Sequence, residues 1–173
     1  MIDDRLTWKC HVDYVCNKLS KSIGIICKAK KALNKSTLLN LYNVFVYPHL
    51  SYCTMVWGST YQTTLNKVII IQKKIIRIIS NAPFLHPTKD LFQQLNVLKF
   101  QKIIEFQYGL FIYKYVHEIL PTPFQNIFNY NRNIHGYNTR QCDAFHITRY
   151  RTVSRKHTIN ILAPSFWNRI QKD

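Results

Sequence analysis

The sequence is poor in acid. Eight Asp and Glu face 24 Lys and Arg in 173 residues, a formal net charge of +16, and Asp3, Asp4 and Asp13 crowd the N-terminal end. The later carboxylates are Asp90, Glu105, Glu118, Asp143 and Asp173. They are spaced too widely for a paired-carboxylate or two-metal centre. Glycine is scarce as well: Gly24, Gly58, Gly109 and Gly136 stand apart, so no glycine-rich loop is present to cradle phosphates. No run approaches the roughly 18 apolar residues that a membrane-spanning helix needs. The five cysteines (Cys10, Cys16, Cys27, Cys53, Cys142) are odd in number and lack a CxxC pair, and no basic-then-apolar leader precedes them. That pattern points to a reducing compartment, cytoplasmic or nuclear.

Catalytic and metal chemistry find little footing. Cys10, His11 and Cys16 fall within two helical turns, with no fourth ligand at zinc spacing. Cys53 or Cys142 paired with His49 or His146 matches no nucleophile motif, and Cys53 lies in an apolar stretch that reads as core. No catalytic residue, metal ligand or cofactor is assigned.

What is present is apolar. Hydrophobic residues make up 47% of the chain and aromatics 14%, too much for a disordered chain and enough for a real core at this length. Apolar residues recur at helical spacing in Val12, Val15, Cys16, Leu19, Ile23, Ile26 and Cys27, predicting a helix over 11–31. Ser36 is positioned to cap a second helix carrying Leu38, Leu41, Tyr42 and Phe45. Pro48 opens a third helix that runs to Trp57, with Gly58 closing it. In the helix expected over 63–80, Leu65, Val68, Ile69, Gln72, Ile75, Ile76 and Ile79 share one side. A short helix after Thr88 and a long one over 99–119 follow, the latter stopped by Pro121 and Pro123. Beyond Tyr130, turn residues and short β-branched runs predict a β-hairpin or extended arm, then a short terminal helix holding Phe166 and Trp167. The fold class is therefore mainly α, a multi-helix bundle with a small β or extended C-terminal section; the expected division is 1–129 and 130–173.

The cations fall in faces. Lys18, Lys21, Lys28 and Lys31 lie opposite the first helix's apolar stripe, and Lys67, Lys73, Lys74 and Arg77 lie opposite that of the 63–80 helix. Lysine-rich faces are often merely solvated, but solvated faces usually mix both signs, and these do not. In the C-terminal section, Arg140, Arg149, Arg151, Arg155 and Lys156, with Arg132 nearby, interleave with Tyr130, Tyr137, Phe145 and Tyr150. Guanidinium forks suit phosphate oxygens and aromatic faces suit unpaired bases; the same aromatics equally suit pinning the arm to the helical body. Such a charge is easiest to understand if a polyanion neutralises it.

Several stretches occur in an order that carries a resemblance: IDDRLTWKCHV, KLSKSIGIICKAKKAL, LYNVFVYPHLSYCTMVWG, LNKVIIIQKKIIRIIS, YKYVHEILP, YNTR and SFWNRI. Together they resemble the region that follows the polymerase palm in reverse transcriptases of jockey-like retrotransposons without long terminal repeats. The resemblance implies a thumb-like helical unit with a downstream connector that cradles template and primer. The partners it implies are RNA or an RNA–DNA hybrid, and the palm and fingers of a parent polymerase. The family's catalytic FADD-type motif has no counterpart here, so no polymerase activity is carried onto any residue, and Met1 falls just past where the palm would end, as in a truncated element. The reading is sequence-independent binding of RNA or template–primer duplex; the alternatives are a segment that packs on the palm, or a relic.

Overall fold

A computed structural model of the chain describes residues 6–134 and 139–171. The turn expected around Gly136 and Tyr137, including part of YNTR, lies outside the described residues. The chain divides into two compact units, Met1–Ile104 and Glu105–Asp173.

The first unit is helical because its apolar residues repeat at the helical period. Helix α1 (Lys9–Ala29) buries Val12, Val15, Cys16, Leu19 and Ile26. Helix α2 (Lys35–Phe45) buries Leu38 and Tyr42 and is capped by Asn34, whose Oδ1 accepts the Thr37 N–H at 2.9 Å. The cap expected at Ser36 thus lies two residues earlier, at an amide that also accepts the Thr37 hydroxyl. Helix α5 (Gln62–Ile79) buries Leu65, Val68, Gln72, Ile75, Ile76 and Ile79, and packs on α1. Helix α6 (Lys89–Gln94) sets Leu91 and Phe92 into the same core, and α7 (Phe100–Val116) begins there with Phe100 and Ile103.

The helix expected from Pro48 to Trp57 is two short helices, α3 (Tyr47–Ser51) and α4 (Thr54–Trp57). Side chains take carbonyls that a continuous helix would use itself: the Thr54 hydroxyl donates to Leu50 O, and the Trp57 indole N–H donates to Tyr52 O at 2.8 Å. The break leaves Cys53 at φ 50 and exposed, which corrects its reading as a core residue. Trp57 stacks on Phe100, ring centroids 5.4 Å apart. Gly58 follows because no side chain fits: a Cβ there would collide with the Thr54 carbonyl and come within 3.0 Å of Ile104 Cγ1.

One buried polar residue ties this core together. Gln72 Nε2 donates to Tyr42 Oη and to Leu98 O, both at 2.9 Å, while Phe100 N–H donates to Gln72 Oε1 at 2.8 Å. The amide is thereby satisfied in an otherwise apolar interior, and the turn between α6 and α7 is fixed to α5.

Of the β-hairpin or extended arm expected beyond Tyr130, the described residues of the second unit form no hairpin, and 146–151 runs without helix or strand. Among the described residues there is one isolated antiparallel bridge, Tyr130 with Phe145. Asn131 N–H donates to Ala144 O at 3.0 Å and His146 N–H to Asn129 O at 2.7 Å across it, and the chain then turns into a 3-10 helix at Asn131–Asn133. On the other edge Asn168 acts as a substitute strand, with Phe145 N–H donating to Asn168 Oδ1 at 3.0 Å and Asn168 Nδ2 donating to Phe145 O at 2.8 Å. The β-branched run that suggested strand instead enters helices α8 (Val153–Lys156), capped by Thr152, and α9 (Ile159–Ile170). Ile161 and Pro164 bury one side of α9, a helical spacing that the alternation of short runs conceals. An aromatic cluster forms the core here: Phe145 lies 5.6 Å from Phe128 and 4.6 Å from the stacked ring of Tyr130, and the Tyr115 hydroxyl donates to Phe128 O at 2.7 Å.

Candidate nucleic-acid interface

Helix α1 presents Lys21 and Lys28 to solvent, with Lys18 partly covered and its Nζ 5.4 Å from the Tyr14 ring centroid. At 100° per residue these three lie within about 80° of one another. Lys31 is exposed just beyond the helix end. On α5, Lys73 and Lys74 are exposed, whereas Arg77 is half-buried and its Nε donates to His86 O at 2.9 Å. Lys67 has a local counterion: its Nζ lies 2.7 Å from Asp13 Oδ1 on α1, and that hydrogen bond raises its pKa. Among the described residues none of Lys18, Lys21, Lys28, Lys31, Lys73 and Lys74 has a carboxylate partner. Of the α5 stripe, then, Lys67 serves as a tie between helices, Arg77 has its Nε held by the following loop, and Lys73 and Lys74 keep their ammonium groups open.

In the second unit, Arg140, Arg149, Arg151, Arg155 and Lys156 are all exposed. The aromatics interleaved with them separate into two kinds. Phe145 and Tyr130 are spent on packing, with Arg132 stacked 4.9 Å over Tyr130 and bonded to Asp143 at 3.3 Å. Tyr150 is exposed among the arginines. Of the aromatics interleaved with these arginines, Tyr150 is the described one left accessible.

Comparison with known proteins gives the chemistry a context. The chain is 32% identical over 102 residues to the RNA-directed DNA polymerase from mobile element jockey of Drosophila funebris, a match covering 57% of this chain and 11% of the relative. The protein of the same description from Drosophila melanogaster is 30% identical over 101 residues, again 57% of this chain and 11% of the relative. Over that stretch the chain is related to a retrotransposon reverse transcriptase. It spans about a tenth of the length of these curated relatives. No protein-family profile and no solved structure matches it.

Catalytic geometry is not assembled around the candidates that the sequence offered. Among the described residues no three His, Cys, Asp or Glu side chains gather as metal ligands, and neither Cys53 nor Cys142 is hydrogen-bonded to a histidine through its side chain. No described helix is long and apolar enough to cross a membrane. The perturbed groups are structural: burial pushes the Tyr42 and Tyr108 hydroxyls up to about 12, raises the Cys16 thiol, and lowers the His11 imidazole, which sits 5.4 Å from the Trp57 ring. What the surface offers instead is ammonium and guanidinium groups without carboxylates, the complement of phosphate oxygens. Sequence periodicity missed Lys89 and Lys99, which line the same cleft as Lys73. They belong to three separate elements, so no helical stripe in the sequence joins them.

Proposed function

We propose that this chain is the thumb-like segment of a retrotransposon RNA-directed DNA polymerase and binds RNA or template–primer duplex through its basic faces, without regard to base sequence. The observation that carries the reading is the set of exposed lysines on α1 and α5 that lack carboxylate partners, on a helical scaffold related in sequence to such a polymerase. Arg140, Arg149, Arg151, Arg155 and Lys156 extend the cationic character to the C-terminal section, which we assign as the connector, 130–173. Lys67 contributes least, since Asp13 already neutralises it.

The test is charge reversal on the two helices separately. Lys73→Glu with Lys74→Glu, and Lys21→Glu with Lys28→Glu, each weaken binding to RNA and to RNA–DNA hybrid of any sequence and flatten the salt dependence. Every phosphate no longer neutralised takes about 0.9 off the slope on duplex and about 0.7 on single strands. Unchanged affinity and slope in both variants refute the reading.

A second reading is favoured by a separate observation. Val44, Tyr52 and Val56, on α2 to α4, are 64%, 73% and 48% exposed, more apolar surface than a solvated helix face needs. They suit packing against a polymerase palm. Solubility that improves when a palm fragment is added, with no retention on heparin, favours this reading over the first.

A further inference from the structure

A cleft of about 460 Å³ lies between the stretch of α5 from Gln62 to Lys73, helix α6 with the residues just before it, and the start of α7. Lys73 enters it from one wall, Lys89 and Lys99 from the other, and no carboxylate lines it. None of the three has a carboxylate partner among the described residues. Asp90, next to Lys89 in the chain, is exposed outside the lining. The floor is firm, because Phe92 and Phe100 are buried and Gln72 fixes the turn from which Lys99 projects.

The chain enters this cleft from a tight turn. His86 N–H donates to Pro83 O at 3.1 Å, so Phe84 and Leu85 occupy the two central positions of a β-turn, and they are 74% and 86% exposed. The turn is fastened at its base, where Arg77 Nε donates to His86 O and Ala82 N–H donates to Arg77 O, each at 2.9 Å. Pro87, Thr88 and Lys89, immediately after it, line the cleft. An aromatic ring held in water by a fastened turn three residues before the cleft lining begins, together with three ammonium groups that have no carboxylate partner, Lys99 resting 6.0 Å from the Phe92 ring centroid, matches a ligand that has both phosphates and flat faces.

We infer that the α5–α6–α7 cleft seats the backbone of a single nucleic-acid strand, with phosphates on Lys73, Lys89 and Lys99 and an unpaired base stacked on Phe84. This deepens the proposed function: it rests on nucleic-acid binding, names the strand type and adds three residues. An anionic membrane would also meet lysines and an apolar turn, but a planar surface does not enter a cleft to reach Lys73 and Lys99 from both walls.

The experiment measures fluorescence anisotropy of the full chain with a labelled uridine homopolymer, and with an abasic strand of equal length. Lys89→Glu with Lys99→Glu weakens binding to both strands about tenfold or more and lowers the salt slope by about 0.7 for each phosphate no longer neutralised. Phe84→Ala weakens binding to the uridine strand by about tenfold and leaves the abasic strand unaffected, because stacking needs a base. All three positions are exposed, and melting curves matching the unsubstituted chain confirm folding. If the unsubstituted chain binds but the lysine variant binds equally well, the cleft is not the seat. If Phe84→Ala affects both strands alike, or abolishes sedimentation with phosphatidylserine vesicles while sparing the oligonucleotide, the stacking assignment is wrong. If the unsubstituted chain binds no oligonucleotide at low salt, the proposed function fails and the inference fails with it.

Discussion

Replacing Gln72 with leucine tests the join on which the first unit, and the cleft at its edge, depend. The substitution keeps the volume but removes both donors and the acceptor at once. Phe100 N–H and Leu98 C=O are main-chain groups that cannot turn away, and the Tyr42 hydroxyl is buried beside them. Each stranded buried group costs about 1–3 kcal/mol. Taking the low end for the hydroxyl, which can rotate, and for Leu98 O, which is only part-buried, the loss comes to about 3–5 kcal/mol. The added apolar surface of leucine returns about 1–2 kcal/mol. A net destabilisation of about 1–4 kcal/mol follows, equivalent to roughly 5–25 °C in melting temperature for a unit of this size. Thermal unfolding followed by far-ultraviolet circular dichroism, checked by urea titration with unchanged m, measures it. Gln72→Leu melting at or above the temperature of the unsubstituted chain would refute the argument, since the site would then prefer a purely apolar occupant. Gln101→Leu, an exposed position in the same region, should melt as the unsubstituted chain does.

Gly58→Ala should lose about 2–3 kcal/mol in a urea titration, because its new methyl group meets the Thr54 main chain, which cannot move aside, as well as the Thr54 and Ile104 side chains; an unshifted midpoint contradicts the packing described. Asn168→Leu should cost about 2 kcal/mol and speed hydrogen exchange at the Phe145 amide, with Asn168→Asp nearly as harmful because a carboxylate cannot donate to Phe145 O; protection left intact would show that the pairing is dispensable. His11 sets a pH dependence: burial depresses its folded pKa, so below about 6.5 the unfolded chain binds the proton more readily. The stability it contributes is complete above that pH and is lost as pH falls. Melting temperature should therefore drop between about pH 7.5 and 5.5, and drop less in His11→Gln; parallel curves for the two proteins exclude His11 as the source.

The helices of the first unit were legible because their burial is local and periodic. The stripe from Leu65 to Ile79 predicts its own buried side, including Gln72, whose place among isoleucines follows from spacing alone. What that glutamine bonds to was not legible, since its partners lie on α2 and at the start of α7. The break between α3 and α4 escaped for a related reason: side-chain bonds from Thr54 and Trp57 override a sequence that otherwise continues as helix. In the second unit, Phe145 reads as a strand residue, and its main chain is indeed paired as in a sheet, but by the side chain of a residue 23 positions away. The cationic faces of α1 and α5 were visible as stripes. The tie between Lys67 and Asp13 was not, nor was the cleft shared by Lys73, Lys89 and Lys99, because each joins elements whose proximity only the fold creates.

The central claim is that phosphate charge, and not base identity, is what this surface meets. It is tested most directly by measuring the affinity of the unsubstituted chain for two RNA strands of equal length and unrelated sequence across a series of salt concentrations. The account predicts nearly superimposed lines of log affinity against log salt, falling with a slope near −2 or steeper for three or more neutralised phosphates at about −0.7 each. A flat line, or affinities separated by more than about tenfold at every salt concentration, would contradict it.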